Sequence, residues 1–207
     1  MPHEKAVPDI VVGRLPIYLR ELSHLLAEGQ QITASKELAA RLGISSAQIR
    51  KDLSHFGEFG KQGMGYDIAH LRDQLKAILQ VQAKWDMALV GAGDLGHAIA
   101  NYGGFEGRGF RVCCVFDDNP QKIGRRLGQY EINDASTLSE KLPAMGIRVA
   151  IVAVPAAAAQ AVVDELVAAG VKAILNYAPI TVTVPPDVHV QYLDPVLHLQ
   201  RMTYYLR

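Results

Sequence analysis

The chain has 207 residues, of which 49% are apolar and 20% charged, and its 21 basic residues equal its 21 acidic ones in number. This composition excludes a disordered chain and a polybasic tail, and the length leaves room for two domains. No apolar run approaches the ~18 residues that cross a bilayer, and Glu4 and Asp9 interrupt the segment where a signal peptide would be apolar. We therefore expect a cytoplasmic globular protein without membrane contact, and the zero net charge argues weakly against a nucleic-acid partner.

Two helices are predicted before residue 44. Apolar side chains recur three and four residues apart over 15–28, and Gly29 stands just beyond the last turn. The next helix lies in TASKELAARLG, where Thr33 or Ser35 is the expected N-cap and Gly43 the expected C-terminal stop.

A third helix begins at a well-marked position. Ser45 and Gln48 have the spacing of a capping box, and Ile44 and Ile49 have the spacing of a hydrophobic staple. The inward apolar face of this helix leaves its polar and basic side chains pointing elsewhere. Two short helices around a turn, the second with such a polar face, are typical of a helix-turn-helix whose recognition helix enters the major groove of DNA.

A glycine-punctuated stretch, GEFGKQGMGYD, follows the third helix and contains Lys61. It predicts a β-hairpin wing or a tight loop. A winged helix-turn-helix over 10–67, with its helices in about 17–56, accounts for these features, and a plain helical bundle with solvated charges is the alternative. A helix over 68–81 is predicted to connect this DNA-binding domain, residues 1–82, to the rest of the chain.

Short apolar runs alternate with helical segments from residue 83 onward, which predicts βαβ units and a Rossmann-type, doubly wound parallel sheet over 83–193. A terminal helix occupies 194–207. Cys113 and Cys114 lie side by side in one apolar run and are interpreted as buried strand thiols, because their spacing suits neither a disulfide framework nor a zinc site. The predicted strands cover 87–90, 112–116, 149–154 and 173–175, the predicted helices 95–102 and 156–169, and the segment 120–142 is left unassigned.

The segment GAGDLG, directly after the first of these strands and before a helix, fits a dinucleotide fingerprint. Gly91 would make the tight turn, Gly93 would let the pyrophosphate approach the backbone, and Gly96 would let helix and strand pack closely. Asp117 follows Gly96 by 21 residues, near the ~20 expected for the acid that binds a ribose 2′-hydroxyl. The pattern predicts NAD(H) rather than NADP(H), and a glycine-rich turn with a capping aspartate is the alternative.

Two further strand ends, Val154-Pro155 and Asn176-Tyr177, face the same crevice if the sheet is doubly wound, and each either contacts the ligand or only ends its strand. Only 28 residues follow position 179, too few for a substrate domain, so no catalytic residue is predicted. A small NAD-dependent oxidoreductase with a helical dimerisation domain is the second hypothesis, and a coenzyme A-binding module is the third.

Several segments, among them AQIRKDLSHFGEFGKQGMGY, LVGAGDLGHAIANY, VFDDNPQKIG and ILNYAP, resemble the Rex family of bacterial redox-sensing transcriptional repressors. The resemblance runs from about Ile10 to Arg207. It implies a homodimer that binds a pseudo-palindromic operator when NADH is scarce and leaves DNA when NADH replaces NAD+. It also implies a C-terminal helix that is swapped between protomers.

The resemblance assigns roles to individual residues, and it includes no metal ligand. One departure is Pro195, where the pattern has a bulkier residue that could cover the nicotinamide. An interdomain ion-pair switch would involve Arg20, Tyr102 and Asp194. DNA contacts would come from Ser46, Gln48, Arg50, Lys51, Ser54 and Lys61. Cofactor contacts would come from Gly91, Ala92, Gly93, Asp94, Leu95, Gly96, Asp117, Lys122, Val154, Pro155, Asn176 and Tyr177.

The local charge of the DNA-binding segment weakens the argument that a chain of zero net charge does not bind nucleic acid. Residues 44–61 carry Arg50, Lys51 and Lys61 against Asp52 and Glu58, a small basic excess that dimerisation duplicates. DNA binding should therefore depend on a few placed contacts and on two half-sites acting together, with modest non-specific affinity.

Overall fold

The computed structural model describes residues 7–60 and 64–206. The chain divides into two compact units, Met1–Ala83 and Lys84–Arg207, and each is described by itself. Within the described ranges, no helix combines the length and the apolar character needed to cross a membrane.

The first unit is a small helical domain around one apolar core. Its long helices α2 and α5 pack against each other, and the apolar side chains that they share with the shorter helices are buried because they recur at helical spacing. In chain order the elements are α1 (Asp9–Val12), α2 (Leu15–Ala27), β1 (Ile32–Thr33), α3 (Ser35–Leu42), α4 (Ser46–Ser54), β2 (Tyr66–Asp67) and α5 (Ile68–Ile78). The core contains Leu15, Tyr18, Leu22, Leu25, Leu38, Ile49, Leu53, Ile68, Leu71 and Leu75.

The N-terminus of α3 differs from the sequence prediction. Ala34 is the N-cap and makes no side-chain capping bond, so neither Thr33 nor Ser35 has that role. Thr33 belongs to β1, where it pairs with Tyr66, and its hydroxyl donates a 2.7 Å hydrogen bond to the carboxylate of Glu37. Because Thr33 is held in β1, the N-cap of α3 is Ala34. Gly43 ends the helix in the left-handed conformation as predicted.

The glycine-rich stretch after α4 contributes a strand to a two-stranded sheet. β2 pairs antiparallel with β1, which precedes α3, and residues 57–60 form no strand. Lys61 lies outside the described residues. The predicted connecting helix is α5, and it ends at Ile78 rather than at residue 81. Its residues Ile68, Leu71 and Leu75 are buried in the core of the first unit.

The second unit contains the predicted parallel sheet. Six parallel strands stand in the order β6-β4-β3-β7-β8-β9, and β5 is added antiparallel at the β6 edge. This is the Rossmann strand order, in which the ligand crevice opens at the carboxyl ends of the strands, where the winding reverses beside β3. The strands are β3 (Trp85–Val90), β4 (Phe110–Asp117), β5 (Arg126–Leu127), β6 (Tyr130–Asp134), β7 (Val149–Val152), β8 (Ala173–Asn176) and β9 (His189–Tyr192).

Helices cover both faces of this sheet. Its strands are apolar on both sides, so that one buried cluster lies on each face. The segment 120–142, which the sequence left unassigned, supplies β5, β6 and most of α7. The helices are α6 (Asp94–Ala100), α7 (Leu138–Ala144), α8 (Ala156–Ala168) and the terminal α9 (Pro195–Thr203).

Candidate cofactor crevice and DNA-binding helix

The turn after β3 is held against the neighbouring strand. Gly91 has φ +103°, and a β-carbon at this position would lie 2.4 Å from the carbonyl oxygen of Ala153, at the end of β7. Only glycine fits both the backbone angle and this contact. The turn therefore lies at the point where the order of the strands reverses, as a dinucleotide site requires.

The next two glycines of the fingerprint differ in their surroundings. A β-carbon on Gly96 would lie 1.9 Å from the carbonyl oxygen of Gly91, so α6 packs directly on the turn. A β-carbon on Gly93 would meet nothing within 4 Å, and Asp94 and Leu95 beside it are exposed. The space above Gly93 is thus open to a ligand, while Gly96 has a purely structural task.

Asp117, the last residue of β4, is tied to this turn. Its Oδ2 accepts a 2.7 Å hydrogen bond from the backbone N–H of Ala92 and lies 3.1 Å from Nζ of Lys122, and its Oδ1 accepts a 2.9 Å bond from Asn119. Burial alone would raise the pKa of Asp117, but the two N–H groups and Lys122 lower this pKa below its usual range. Because a carboxylate accepts about four hydrogen bonds, these three donors leave room for one more donor from a ligand.

Val154 and Pro155 follow β7 at the same edge of the sheet. A methyl group of Val154 lies 3.1 Å from the β-carbon position of Gly91, so its side chain packs beside the turn. Pro155 is exposed and serves as the N-cap residue of α8. Both residues are therefore near the crevice, with Val154 the closer to the turn.

Asn176, the last residue of β8, and Tyr177, which follows it, differ in whether their side chains are already engaged. Asn176 is fully buried, its amide donates to the carbonyls of Ala178 and Ile180, and its Oδ1 accepts from the N–H of Ala178. These bonds shape the loop, so the side chain of Asn176 is already engaged. Tyr177 is partly buried, and burial raises the pKa of its phenol.

Helix α4 presents the residues predicted to contact DNA. Arg50, Lys51 and Ser54 are exposed, while Ser46 and Gln48 are partly buried. Arg50 donates a 3.1 Å hydrogen bond to the hydroxyl of Ser35 at the start of α3. The side chain of Ser45 accepts from the N–H of Gln48 and so caps the helix as predicted.

A buried polar network that fixes α4 was not predicted from the sequence. Asp52 is fully buried, and its carboxylate accepts two hydrogen bonds from Arg14, at 2.5 and 2.7 Å, and one of 2.6 Å from the hydroxyl of Tyr18. The amide of Gln48 donates to the same carboxylate at 2.6 Å instead of closing the capping box. Burial alone would raise the pKa of Asp52, but these donors lower it.

This network could not be predicted because its partners are far apart in sequence. Asp52 is 38 residues from Arg14 and 34 residues from Tyr18, so no local spacing links them. Gln48 was predicted to contact DNA, but its side chain is used to hold Asp52.

The three residues assigned to an interdomain switch lie in different elements of the fold. Arg20 is exposed on α2. Tyr102, just after α6, stacks edge-on against Phe105 with ring centroids 5.1 Å apart and lines a surface cavity of about 320 Å³. Asp194 caps α9 by accepting a 2.9 Å bond from the N–H of Val196, and Pro195 is the first residue of that helix, where proline costs no hydrogen bond. The switch itself stays a prediction.

No group of three or more His, Cys, Asp or Glu side chains in the described part of the chain is arranged to hold a metal ion.

Two protein-family models match the chain, one in each unit. The model described as "CoA binding domain" matches residues 82–180, and the model described as "Putative DNA-binding protein N-terminus" matches residues 6–54.

Curated relatives match nearly the whole chain. A protein of Chloroflexus aurantiacus named "Redox-sensing transcriptional repressor Rex" is 50% identical over 199 residues, which cover 96% of this chain and 94% of the relative. A protein of Brevibacillus brevis with the same name is 44% identical and covers 99% of this chain and 98% of the relative.

Solved structures agree with these relatives. The crystal structure of RSP in complex with β-NAD+ and operator DNA has a TM-score of 0.92 and 38% identity, and the match covers 98% of this chain and 93% of RSP. The structure of RSP with β-NADH has a TM-score of 0.88 and 35% identity over 98% of this chain and 95% of RSP. The chain belongs to the Rex family of redox-sensing transcriptional repressors.

Proposed function

We propose that this protein binds operator DNA through α4 and leaves it when its second unit binds NADH. The observation that carries the proposal is the crevice at the end of β3. There the carboxylate of Asp117 is fixed to the turn by Ala92, and the space above Gly93 is open. A pyrophosphate can approach the backbone at Gly93 while the carboxylate accepts from a ribose.

We expect the cofactor to be NAD(H). A phosphate on the adenosine ribose, as in NADP(H) at the 2′ and coenzyme A at the 3′ position, would bring negative charge close to Asp117. The pKa of this residue is lowered, so it is charged at neutral pH. The solved complexes of RSP with β-NAD+ and β-NADH support this choice over the coenzyme A suggested by the family model's description.

The DNA contacts are assigned to the exposed face of α4. Arg50 can bind a guanine edge with two hydrogen bonds, and Lys51 can neutralise a phosphate. Ser46 and Ser54, at the two ends of α4, can bind phosphate oxygens, Ser54 by turning its hydroxyl away from the carbonyl oxygen of Lys51, to which it donates at 2.8 Å. Lys61 is proposed to add a phosphate contact. Gln48 contributes indirectly, because its amide holds Asp52. The operator complex of RSP supports DNA binding by this chain, and the assignment of that binding to α4 is the proposal.

We infer that the working form is a homodimer joined through α9. None of the side chains of α9 is buried within the chain, and four large apolar ones, Val196, Leu197, Leu199 and Met202, are 54–62% exposed. Such an apolar helix is normally covered by a partner. A two-fold dimer also explains why a pseudo-palindromic operator would be read, with half-sites about one turn of DNA (~34 Å) apart.

We expect no catalytic activity, since family members are named transcriptional repressors, and we expect the protein to work in the cytoplasm, where a bacterial operator lies. For NADH to shift the protein from about 99% DNA-bound to about 1%, it must favour the released form by roughly 5.5 kcal/mol. NAD+ must favour that form much less.

The experiment is a fluorescence-anisotropy titration of the full-length protein on a family-type operator, with NADH, NAD+, NADPH and coenzyme A in parallel. We expect release by NADH alone. Equal operator affinity with and without NADH would refute the sensor, and release by coenzyme A would reassign the crevice. Steady oxidation of NADH by the protein in the presence of small carbonyl compounds would support the oxidoreductase hypothesis instead.

A further inference from the structure

The two adjacent cysteines lie at an irregularity in β4. Met87 of β3 pairs with Val112, but the next residue, Ala88, pairs with Cys114, so Cys113 is the extra residue of a β-bulge. In a regular strand, neighbouring side chains point to opposite faces of the sheet. Here both cysteines pack against the same apolar cluster, and their sulfur atoms are 3.6 Å apart.

The two thiols differ in access and in acidity. Cys114 is buried, whereas Cys113 is partly exposed and directs its sulfur to the carbonyl of Met87 at 3.4 Å. The hydrogen bond from the Cys114 thiol lowers the pKa of Cys113, while the same interaction and burial raise the pKa of Cys114. The first thiolate therefore forms at the accessible sulfur.

The geometry disfavours a disulfide between these cysteines. Neighbouring Cα atoms lie ~3.8 Å apart, below the ~4.4 Å at which disulfides begin, so a bond between the sulfurs would strain the backbone. The distance between the two sulfur atoms fits one electrophile bound to both of them better than it fits a disulfide. Two thiolates on one centre with bonds of ~2.3 Å and bond angles of roughly 90–110° lie about 3.3–3.8 Å apart, and the observed 3.6 Å falls in this range.

We propose that Cys113 and Cys114 form a vicinal dithiol site for soft, thiophilic Lewis acids with two open coordination positions, the fitting class being monosubstituted trivalent arsenicals. No set of three or more metal-ligating side chains occurs in the ranges that the structure describes. The acceptor must therefore fill its other positions itself. In an arsenoxide, R–As=O, the carbon substituent does this.

The reaction is a condensation without a change of oxidation state. The Cys113 thiolate attacks arsenic, the Cys114 thiol forms the second As–S bond, and the arsenoxide oxygen leaves as water with the two thiol protons. The product is R–As(S–Cys113)(S–Cys114). No residue of the proposed nucleotide crevice takes part in this reaction.

The test uses phenylarsine oxide alone on the full-length protein. Because the chain has only two cysteines, a thiol count reports both. We expect one equivalent to remove both free thiols and to add one phenylarsenic group by mass. Excess glutathione should leave the adduct intact, whereas ethanedithiol should remove it, since only a dithiol matches the two-point attachment.

Two variants and one rate measurement separate a folded site from the reactivity of an unfolded chain. Cys113→Ser and Cys114→Ala each keep one thiol, and both variants should lose glutathione-resistant capture. Cys113→Ser changes the more exposed of the two positions. In urea below the unfolding transition, the capture rate should stay constant. A capture rate that rises in parallel with the unfolded fraction, or a single-cysteine variant that keeps resistant capture, would overturn the proposal.

Discussion

The Oδ2 atom of Asp117 accepts a 2.7 Å hydrogen bond from the backbone N–H of Ala92, which joins the end of β4 to the glycine turn after β3. The carboxylate therefore has two tasks. It holds the turn in shape, and we propose that its remaining acceptor position binds a ribose hydroxyl. A substitution at this position is therefore expected to act on the proposed cofactor site both directly and through the turn.

The first prediction separates these two tasks. Asp117→Asn keeps the size of the side chain and an oxygen for Ala92 but loses the charge that attracts Lys122. We expect NADH affinity to fall at least tenfold, since hydrogen bonds to charged groups contribute about 1.5–3 kcal/mol. Operator binding without NADH should be unchanged, and calorimetric titration with NADH measures the first effect. Lys172→Ala, which breaks an exposed ion pair with Asp187 in the same unit, is the control and should bind NADH normally.

The second prediction concerns the face of α4. Arg50→Ala and Lys51→Ala should each weaken operator binding, and the lysine variant should reduce the slope of log affinity against log salt by about one per lost phosphate contact. NADH binding should not change. The matched control is Arg41→Ala on α3, because Arg41 is already paired with Glu21 and Glu28. If the Arg41 variant loses as much operator affinity as the other two, α4 is not the recognition helix.

The third prediction tests the buried network beneath α4. Asp52→Ala leaves Arg14 and Tyr18 without their acceptor and should lower the free energy of unfolding by about 3–5 kcal/mol, as expected when one partner of a buried ion pair is removed. Urea unfolding of the parent and the variant measures this change. Asp86→Ala, which breaks the exposed pair with Arg111, should cost far less.

The same residue predicts how stability depends on pH. Because the pKa of Asp52 is lowered in the folded state, its stabilising contribution is complete above the unfolded value of ~3.9 and is lost as the pH falls through the folded pKa. Unfolding free energies measured between about pH 6 and pH 3 should fall more steeply for the parent than for Asp52→Asn. Equal slopes would show that the carboxylate is not held by its partners in solution.

The predictable and unpredictable parts of the fold differ in the range of the interactions that determine them. The C-terminal ends of α2 and α3 follow from Gly29, Gly43 and the helical period, which are local signals. The N-cap of α3 was predicted wrongly because Thr33 pairs with Tyr66, 33 residues further along the chain. β5 and β6 were missed because β5 is only two residues long and β6 has a single buried apolar residue, Ile132, so neither contains an apolar run.

The candidate site shows the same difference between features set by local sequence and features set by distant partners. Gly91, Gly96 and Asp117 could be identified from spacing alone, because the fingerprint is a local strand-turn-helix pattern. The use of Asn176 to shape its own loop, and of Gln48 to hold Asp52, depends on where the side chains point and on partners that composition does not reveal. The bulge that turns both cysteines to one face leaves no mark in the sequence either.

The fourth prediction concerns the exposed apolar face of α9. Leu199→Glu should convert a dimer into a monomer, because a charge would be buried against the apolar partner surface. Sedimentation velocity measures the mass of the particle, and operator affinity should fall as the two half-sites lose their linkage. His198→Glu places the same charge on the neighbouring position and serves as the control for charge alone. A Leu199→Glu variant that sediments like the parent would remove α9 from the interface.

The fifth prediction contrasts two glycines only three residues apart. At Gly93 an added side chain meets no atom within 4 Å, and the backbone angle of φ −82° suits any residue. Gly93→Val should therefore fold with an unfolding free energy within about 0.5 kcal/mol of the parent, the usual range for surface changes, yet fail to bind NADH because its methyl groups fill the space for the pyrophosphate.

At Gly96 the β-carbon of alanine would lie 1.9 Å from the carbonyl oxygen of Gly91, a backbone atom that cannot turn aside. Gly96→Ala should therefore lower the unfolding free energy by about 1–3 kcal/mol or more, since overpacking forces the helix away from the strand. Thermal and urea unfolding of the two variants, alongside calorimetric titration with NADH, measures both effects. A Gly93→Val variant that is destabilised as strongly as Gly96→Ala would mean that the space above Gly93 is closed in solution and that the cofactor binds elsewhere.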